Sequence, residues 1–263
     1  LHGETIAGTV NIDRVDWNPD IAVGRVPAAT AAEVTTYVNK VINYEFNAYG
    51  AAWAKRAVLV ATTDWMPDAC TTKEHIASNY LPGFTITKLY SSGNPCVATS
   101  LPNATNINNT LNAGVGFANY VGHGSDTSWH GCYGVADMAA LTNANMLPIA
   151  FAAACDTARF ATLPPYNPYT DAQGQHHNGT DGGEVFTTVP PPPACIQEID
   201  NPESMAEHFL VRRNTGTVAY IGCETGAQSP SRDLDKYLFE AYREGGRTLG
   251  YMWNAMLIKY YQE

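Results

Sequence analysis

Gly114-Val-Gly-Phe-Ala-Asn-Tyr-Val121 runs directly into Gly122-His123-Gly124-Ser125, and Leu147-Pro-Ile-Ala-Phe-Ala-Ala-Ala154 runs into Cys155-Asp156. Both runs are short, almost continuously apolar and closed by polar or glycine-bearing ends, which is how strands buried on both faces read. Such strands belong to a parallel sheet covered by helices. Between them, Val135 to Leu141 reads as a short helix.

The pattern repeats outward. Ala57 to Ala61 is another continuous apolar strand, and Phe84 to Tyr90 alternates like a strand nearer an edge. Between these two lie a polar loop, Thr62 to Thr72, and a helix reaching about Tyr80. Farther upstream, Ile21 to Val26 reads as a short buried strand. Thr30-Ala-Ala-Glu33 is a capping box, opening a helix with Val34, Val38, Val41 and Ile42 on one face. Downstream, a helix spans Pro202 to Arg213 and a strand Gly216 to Gly222. Two helices, Asp233 to Arg243 and Thr248 to Tyr261, close the chain. Strands alternating with helices specify an α/β sandwich with a mostly parallel sheet, in one domain covering 1–263. The stretch 161–201 breaks the rhythm with Pro164-Pro165, Gly182-Gly183 and Pro190 to Pro193. So long a structureless insertion in a folded domain points to a functional loop.

Composition removes several classes of function. Lys plus Arg number 15 against 25 Asp plus Glu, a formal charge of −10, which leaves no basic surface to neutralise phosphates and excludes nucleic acid as a partner. Apolar runs such as Ile149 to Cys155 fall far short of a membrane span. At 45% hydrophobic, with 15 Tyr and 5 Trp among 263 residues, the chain has enough to bury and is not disordered. Charged residues are only 15%, so Asn, Thr, Ser and Gln must supply the polar surface, which suits an exported, secreted or cell-surface protein. The chain opens at Leu1 without a leader pattern and reads as a mature or excised part of something longer.

In an open parallel sheet, ligands bind at the carboxyl ends of the strands. The two most apolar strands here end in His123 and Cys155, so both side chains fall at one edge. A thiol beside an imidazole is the minimum for nucleophilic cysteine chemistry. The thiolate attacks a carbonyl, and the imidazolium protonates the leaving group. The glycines flanking His123 free a backbone N–H which, with that of Cys155, makes a two-donor oxyanion hole.

Strand-then-His-Gly followed by strand-then-Ala-Cys resembles the caspase–legumain–gingipain clan of cysteine peptidases. Asn119 to Trp129, Leu141-Thr-Asn143 and Ala154-Cys155 resemble the gingipain family in particular. So do Val23-Gly-Arg25, Tyr44-Glu45 and Thr215-Gly-Thr-Val-Ala219. The resemblance covers about Pro19 to Tyr261 apart from 161–201. It implies a caspase-like three-layer α/β/α sandwich and an endopeptidase that cleaves peptide bonds of protein or peptide substrates after a basic residue. Within it, Cys155 is the nucleophile, His123 the general acid and Gly124 an oxyanion donor. Asp64, just after the Ala57–Ala61 strand, orients the histidine. Asp68, or Cys70 if the spacing changes by one or two gaps, falls in the specificity pocket. The chain departs from the family where a pocket-wall tryptophan is replaced by Cys223-Glu-Thr-Gly-Ala-Gln-Ser-Pro230, so Glu224 becomes the other candidate for the pocket charge. An amino-terminal subdomain, or a second chain of the same precursor, is the implied partner.

No cofactor is required by this chemistry. The resemblance allows structural calcium, for which the sequence carries no loop motif. His176, His177, Asp171 and Asp181 could hold a metal, although a solvated glycine-rich loop is the simpler and preferred reading. Among six cysteines, Cys70 with Cys96 suits an exported disulfide, and Cys132 with Cys195 would pin the long loop, leaving Cys155 and Cys223 free. Two rivals use the same residues differently. One is a sortase-like transpeptidase, in which an amine replaces water. The other is a non-catalytic binding or assembly module.

Overall fold

Strands β1 (Arg56–Ala61), β2 (Thr85–Tyr90), β3 (Phe117–Val121), β4 (Ile149–Ala153) and β5 (Ala219–Ile221) form one sheet in the order β5-β4-β3-β1-β2. Every neighbouring pair in it is parallel. The computed structural model of the chain describes residues 5–6, 9–10, 18–160, 168–179, 184–188, 190–192, 203–246 and 248–263. The chain divides into two compact units, Asp20–Arg159 with Pro202–Glu263, and Leu1–Pro19 with Phe160–Asn201.

The larger unit holds the sheet and helices α1 (Ala31–Asn47), α2 (Cys70–Asn79), α3 (Ala104–Asn112), α4 (Met205–Val211), α5 (Ser231–Arg243) and α6 (Leu249–Gln262). Alternation along the strands sorts its core into two layers. Val58, Val60, Ala118, Tyr120, Ala150 and Ala152 face one way, against Ile107 and Leu111 of α3 and Met205 and Phe209 of α4. Leu59, Ala61, Val121, Phe151 and Ala153 face the other way, against Leu238 and Ala241 of α5 and Met252 and Met256 of α6. The result is the expected three-layer α/β/α sandwich.

One buried ionic knot ties the second layer to the sheet. Lys73 of α2 donates to Asp235 of α5 at 2.6 Å and to the side-chain oxygen of Asn119 on β3. Asn119 in turn donates to the other Asp235 oxygen at 2.6 Å. All three residues are wholly buried. Burial pushes the lysine pKa down and the aspartate pKa up, and their mutual attraction opposes both shifts.

Two expectations are corrected. Ile21, Val23 and Val26 are exposed, and their segment lies outside any named strand. A short apolar run marks a strand only when a neighbour lies beside it, and no periodicity reveals that neighbour. Helix α1 does open on its capping box, with Thr30 Oγ1 accepting from the Glu33 N–H at 3.3 Å and Glu33 accepting from the Thr30 N–H at 3.0 Å. However, Val34, Val38 and Ile42 are exposed, and the buried residue is Lys40. Lys40 Nζ donates to the carbonyls of Phe209, Leu210 and Thr215 at 2.8, 3.0 and 2.8 Å. The last carbonyls of a helix lack intrahelical partners and attract a cation, so α1 is anchored to the end of α4 by a polar clamp.

In the smaller unit, Thr5–Ile6 pairs with Thr9–Val10, and Tyr169–Thr170 pairs with His176–His177, both antiparallel. The insertion is therefore not structureless where it is described. His177 Nε2 lies 3.0 Å from Asp171 and Nδ1 lies 3.2 Å from Glu184, so both ring nitrogens serve carboxylates, Asp171 raising the imidazole pKa most. Asp181 lies outside the described residues. No group of three or more His, Cys, Asp or Glu among the described residues is arranged to hold a metal ion.

Cys70 and Cys96 form the expected disulfide. The second expected bridge is corrected: Cys132 is a buried free thiol donating to the Trp129 carbonyl at 3.5 Å, while Cys195 lies outside the described residues. Among the described residues, no helix is long and apolar enough to cross a membrane.

Candidate active site

Register sets the site. β3 and β4 pair from Phe117↔Ile149 to Val121↔Ala153, and the Gly122 N–H donates to the Ala153 carbonyl at 3.4 Å. His123 and Cys155 therefore lie two residues beyond the last paired positions of adjacent strands, which run about 4.8 Å apart. The His123 carbonyl accepts from the Tyr120 hydroxyl at 2.7 Å and from the His130 N–H at 3.0 Å, which fixes the backbone while the side chain faces solvent. A Cβ on Gly124 would fall 2.6 Å from the Cys155 carbonyl oxygen and 2.8 Å from the Ala154 Cβ. Only glycine lets the histidine loop press onto the cysteine loop.

Cys155 is half-buried, and its Sγ accepts the Ala227 N–H at 3.3 Å. Residues 223–227 run alongside the cysteine loop. The Asp156 N–H donates to the Thr225 carbonyl and the Ala158 N–H to the Cys223 carbonyl, each at 3.0 Å. Asp156 takes a left-handed conformation, φ 59°, and its own carboxylate pairs with Arg159 at 2.9 Å. That conformation costs a non-glycine residue about 1–2 kcal/mol. It is held by the flanking bonds and turns the chain sharply just past the thiol.

Asp64 follows β1 and lies beside His123, but its side-chain partners are others. Oδ1 accepts from the Thr62 hydroxyl at 2.5 Å, Oδ2 lies 3.0 Å from His130 Nδ1, and the carboxylate also accepts the His123 backbone N–H. Burial would raise its pKa; these donors together outweigh burial and hold it below the usual carboxylate range. His130, with its ring 6.2 Å from that of His123, is a residue the sequence reading does not single out. Its one signal is position, since it follows Trp129, whose indole stacks on Tyr120 at 4.9 Å.

Asp68 is largely exposed and pairs with Arg232 of α5 at 3.2 Å. Cys70, its alternative, is locked in the disulfide. Glu224 lies on the segment beside the cysteine loop; burial raises its pKa, against the pull of Arg25 and Arg159. Cys223 is a free thiol whose pKa burial pushes up to about 11.

The family model described as Peptidase family C25 matches residues 5–263. Gingipain R2 of Porphyromonas gingivalis (strain ATCC BAA-308 / W83) is 30% identical over 152 residues, covering 55% of this chain and 20% of that protein. Lys-gingipain HG66 of Porphyromonas gingivalis is 33% identical over 153 residues, covering 55% of this chain and 8% of that protein. The crystal structure of the Arg-specific cysteine proteinase gingipain R (RGPB) superposes with a TM-score of 0.68 at 23% identity, over 93% of this chain and 52% of that one. That likeness shows the fold. The chain spans about a fifth or less of the length of these two curated relatives.

Proposed function

The chain belongs to peptidase family C25, and from that premise we propose that it is a cysteine endopeptidase acting through Cys155 and His123 on peptide bonds that follow a basic residue. The observation carrying this reading is the β3–β4 register, which brings the imidazole loop and the thiol loop together with Gly124 pressed on the Cys155 carbonyl.

His123 takes the thiol proton, and the thiolate attacks the scissile carbonyl carbon. The oxyanion accepts from the backbone N–H groups of Gly124 and Cys155. Collapse of the tetrahedral intermediate breaks the C–N bond, with the His123 imidazolium protonating the leaving amine. The thioester is then hydrolysed by a water that His123 deprotonates. Asp64 acts as a positioning residue, through the His123 backbone N–H and through His130. The acyl transfer asks for no metal or organic cofactor; calcium would enter only as a structural element.

Two relatives are named for arginine or lysine, which supports a basic preference here. Glu224 fits the pocket charge better than Asp68, because the Asp68 carboxylate already faces Arg232 and solvent. The Cys70–Cys96 bridge supports export, since such bonds persist in oxidising compartments. Protein or peptide substrates are the partners of this chemistry. An amino-terminal part of the same precursor is a further proposed partner, in keeping with the complex of pro- and mature domains described for RgpB.

The test is intact mass after incubating folded, reduced protein with peptide acyloxymethyl ketones bearing Arg, Lys, Asn or Asp at the reactive end. A single adduct with Arg or Lys, lost in Cys155→Ala, is the expected result. An adduct that survives in Cys155→Ala, or none at all, contradicts the proposal.

A further inference from the structure

A cleft of about 360 Å³ opens at the carboxyl ends of β1 and β2, where the mechanism above places no part of the substrate. Its walls include Thr63, Asp64, Ser92, Leu101, Pro102 and His130. That volume falls at the lower end of small-ligand pockets and suits one long side chain. The lining holds one carboxylate and several hydroxyls, and no lysine or arginine.

Its side of the site follows from the strand order. The thiol is at the end of β4, the imidazole at the end of β3, and the cleft lies beyond, at β1 and β2. During acylation the acyl half of the substrate stays on the thiol, while the leaving amine takes its proton from the imidazole. The leaving half therefore departs on the β1–β2 side of His123. Two cleft residues connect directly with that histidine. Asp64 accepts its backbone N–H, and the His130 ring lies 6.2 Å from its ring.

Resting on the peptidase reading, we infer that this cleft is a leaving-side subsite that takes a long side chain ending in a cationic donor, lysine or arginine, from one of the first two residues after the cleaved bond. The Asp64 carboxylate already has three donors, the Thr62 hydroxyl, His130 and the His123 backbone N–H, but a carboxylate accepts about four in all, so one place remains for an ammonium or guanidinium. The apolar stem would lie along Leu101 and Pro102, as long basic side chains commonly lie on apolar surface.

The experiment uses internally quenched peptides with a fixed acyl half and all side chains varied at the first two leaving positions. It compares the wild-type chain with Ser92→Trp, which fills the mouth of the cleft, and Ser92→Lys, which adds a cation. Ser92 is exposed and stands outside the catalytic groups. Acyloxymethyl ketone labelling runs in parallel, because that probe has no leaving peptide. The expected result is a preference of about tenfold for Lys or Arg over Glu at one leaving position. Ser92→Trp should erase it and Ser92→Lys should weaken it, with labelling rates unchanged. A flat or acid-preferring profile with normal labelling overturns the inference alone, as does a wild-type preference that survives in both variants. No labelling of the wild-type chain overturns the peptidase reading, and this inference with it.

Discussion

β4 and β5 pair from Ile149↔Ala219 to Phe151↔Ile221, and each strand runs on into a cysteine. Carrying that register forward sets Cys223 level with Ala153, whereas Cys155 stands two residues farther out. The surroundings differ accordingly. Cys155 is half-buried, takes an N–H from Ala227 on its sulfur, and has Gly124 of the histidine loop against its carbonyl. Cys223 lies among groups that disfavour charge: burial chiefly, with Cys155 and Asp156 adding to it, pushes its thiol up to about 11. A thiol of that kind holds almost no thiolate at neutral pH and is a poor nucleophile. Two residues of offset along adjacent strands thus separate the proposed nucleophile from a thiol whose burial disfavours the thiolate.

The largest effect expected is the loss of activity when the outer thiol is removed. Cys155→Ala should lower turnover of a peptide substrate by as much as roughly 10⁶-fold, while Cys223→Ala changes it by less than about threefold. Equal losses would collapse the distinction. Gly124→Ala sharpens it from the histidine side, because the new Cβ must push the two loops apart. We expect kcat to fall by about 10²–10³-fold, as when one oxyanion donor is displaced, and the melting temperature to fall with it. Chemical denaturation should then show that Asp235→Ala costs about 3–5 kcal/mol, because it strands the Lys73 charge in the core beneath β3. Lys73→Met combined with Asp235→Leu should recover most of that loss.

A smaller effect separates the two specificity candidates. Glu224→Gln should reduce the preference for a basic residue at the acyl end by about tenfold, while Asp68→Asn leaves it within about twofold, both read from kcat/KM ratios. The smallest concerns pH. Asp64 is held below its ordinary range, so its contribution to stability is in full force above the unfolded carboxylate pKa and is lost only as pH falls through the lowered folded value. Carbon-detected titration should show His130→Gln moving the Asp64 midpoint upward.

What the sequence revealed, and what it concealed, divides along the same line as the two cysteines. Strand ends were readable because burial on both faces leaves a continuous apolar run, and because in-register parallel strands deliver their following residues side by side. Placing His123 and Cys155 at the ends of adjacent strands needs nothing more. Asp68 meeting Arg232, 164 residues away, and Asp64 meeting His130, 66 residues away, leave no periodic trace, since each depends on where a helix or a hairpin turn comes to rest. Helix α1 shows the same limit. Its capping box is local and was legible, but its attachment through Lys40 to three carbonyls around the end of α4 is not. The exposed Val34, Val38 and Ile42 carry a helical spacing that read as a core face.

The most direct measurement is the rate of iodoacetamide alkylation at each free thiol, resolved by peptide mapping across pH 5–10, for the native chain and for His123→Ala. Cys155 should react at least about 100-fold faster than Cys223 at pH 7, with a rate that drops in His123→Ala while Cys223 is unaffected. Equal rates at the two thiols, or a Cys155 rate indifferent to His123, would contradict the reading of this edge of the sheet as a thiol–imidazole active site.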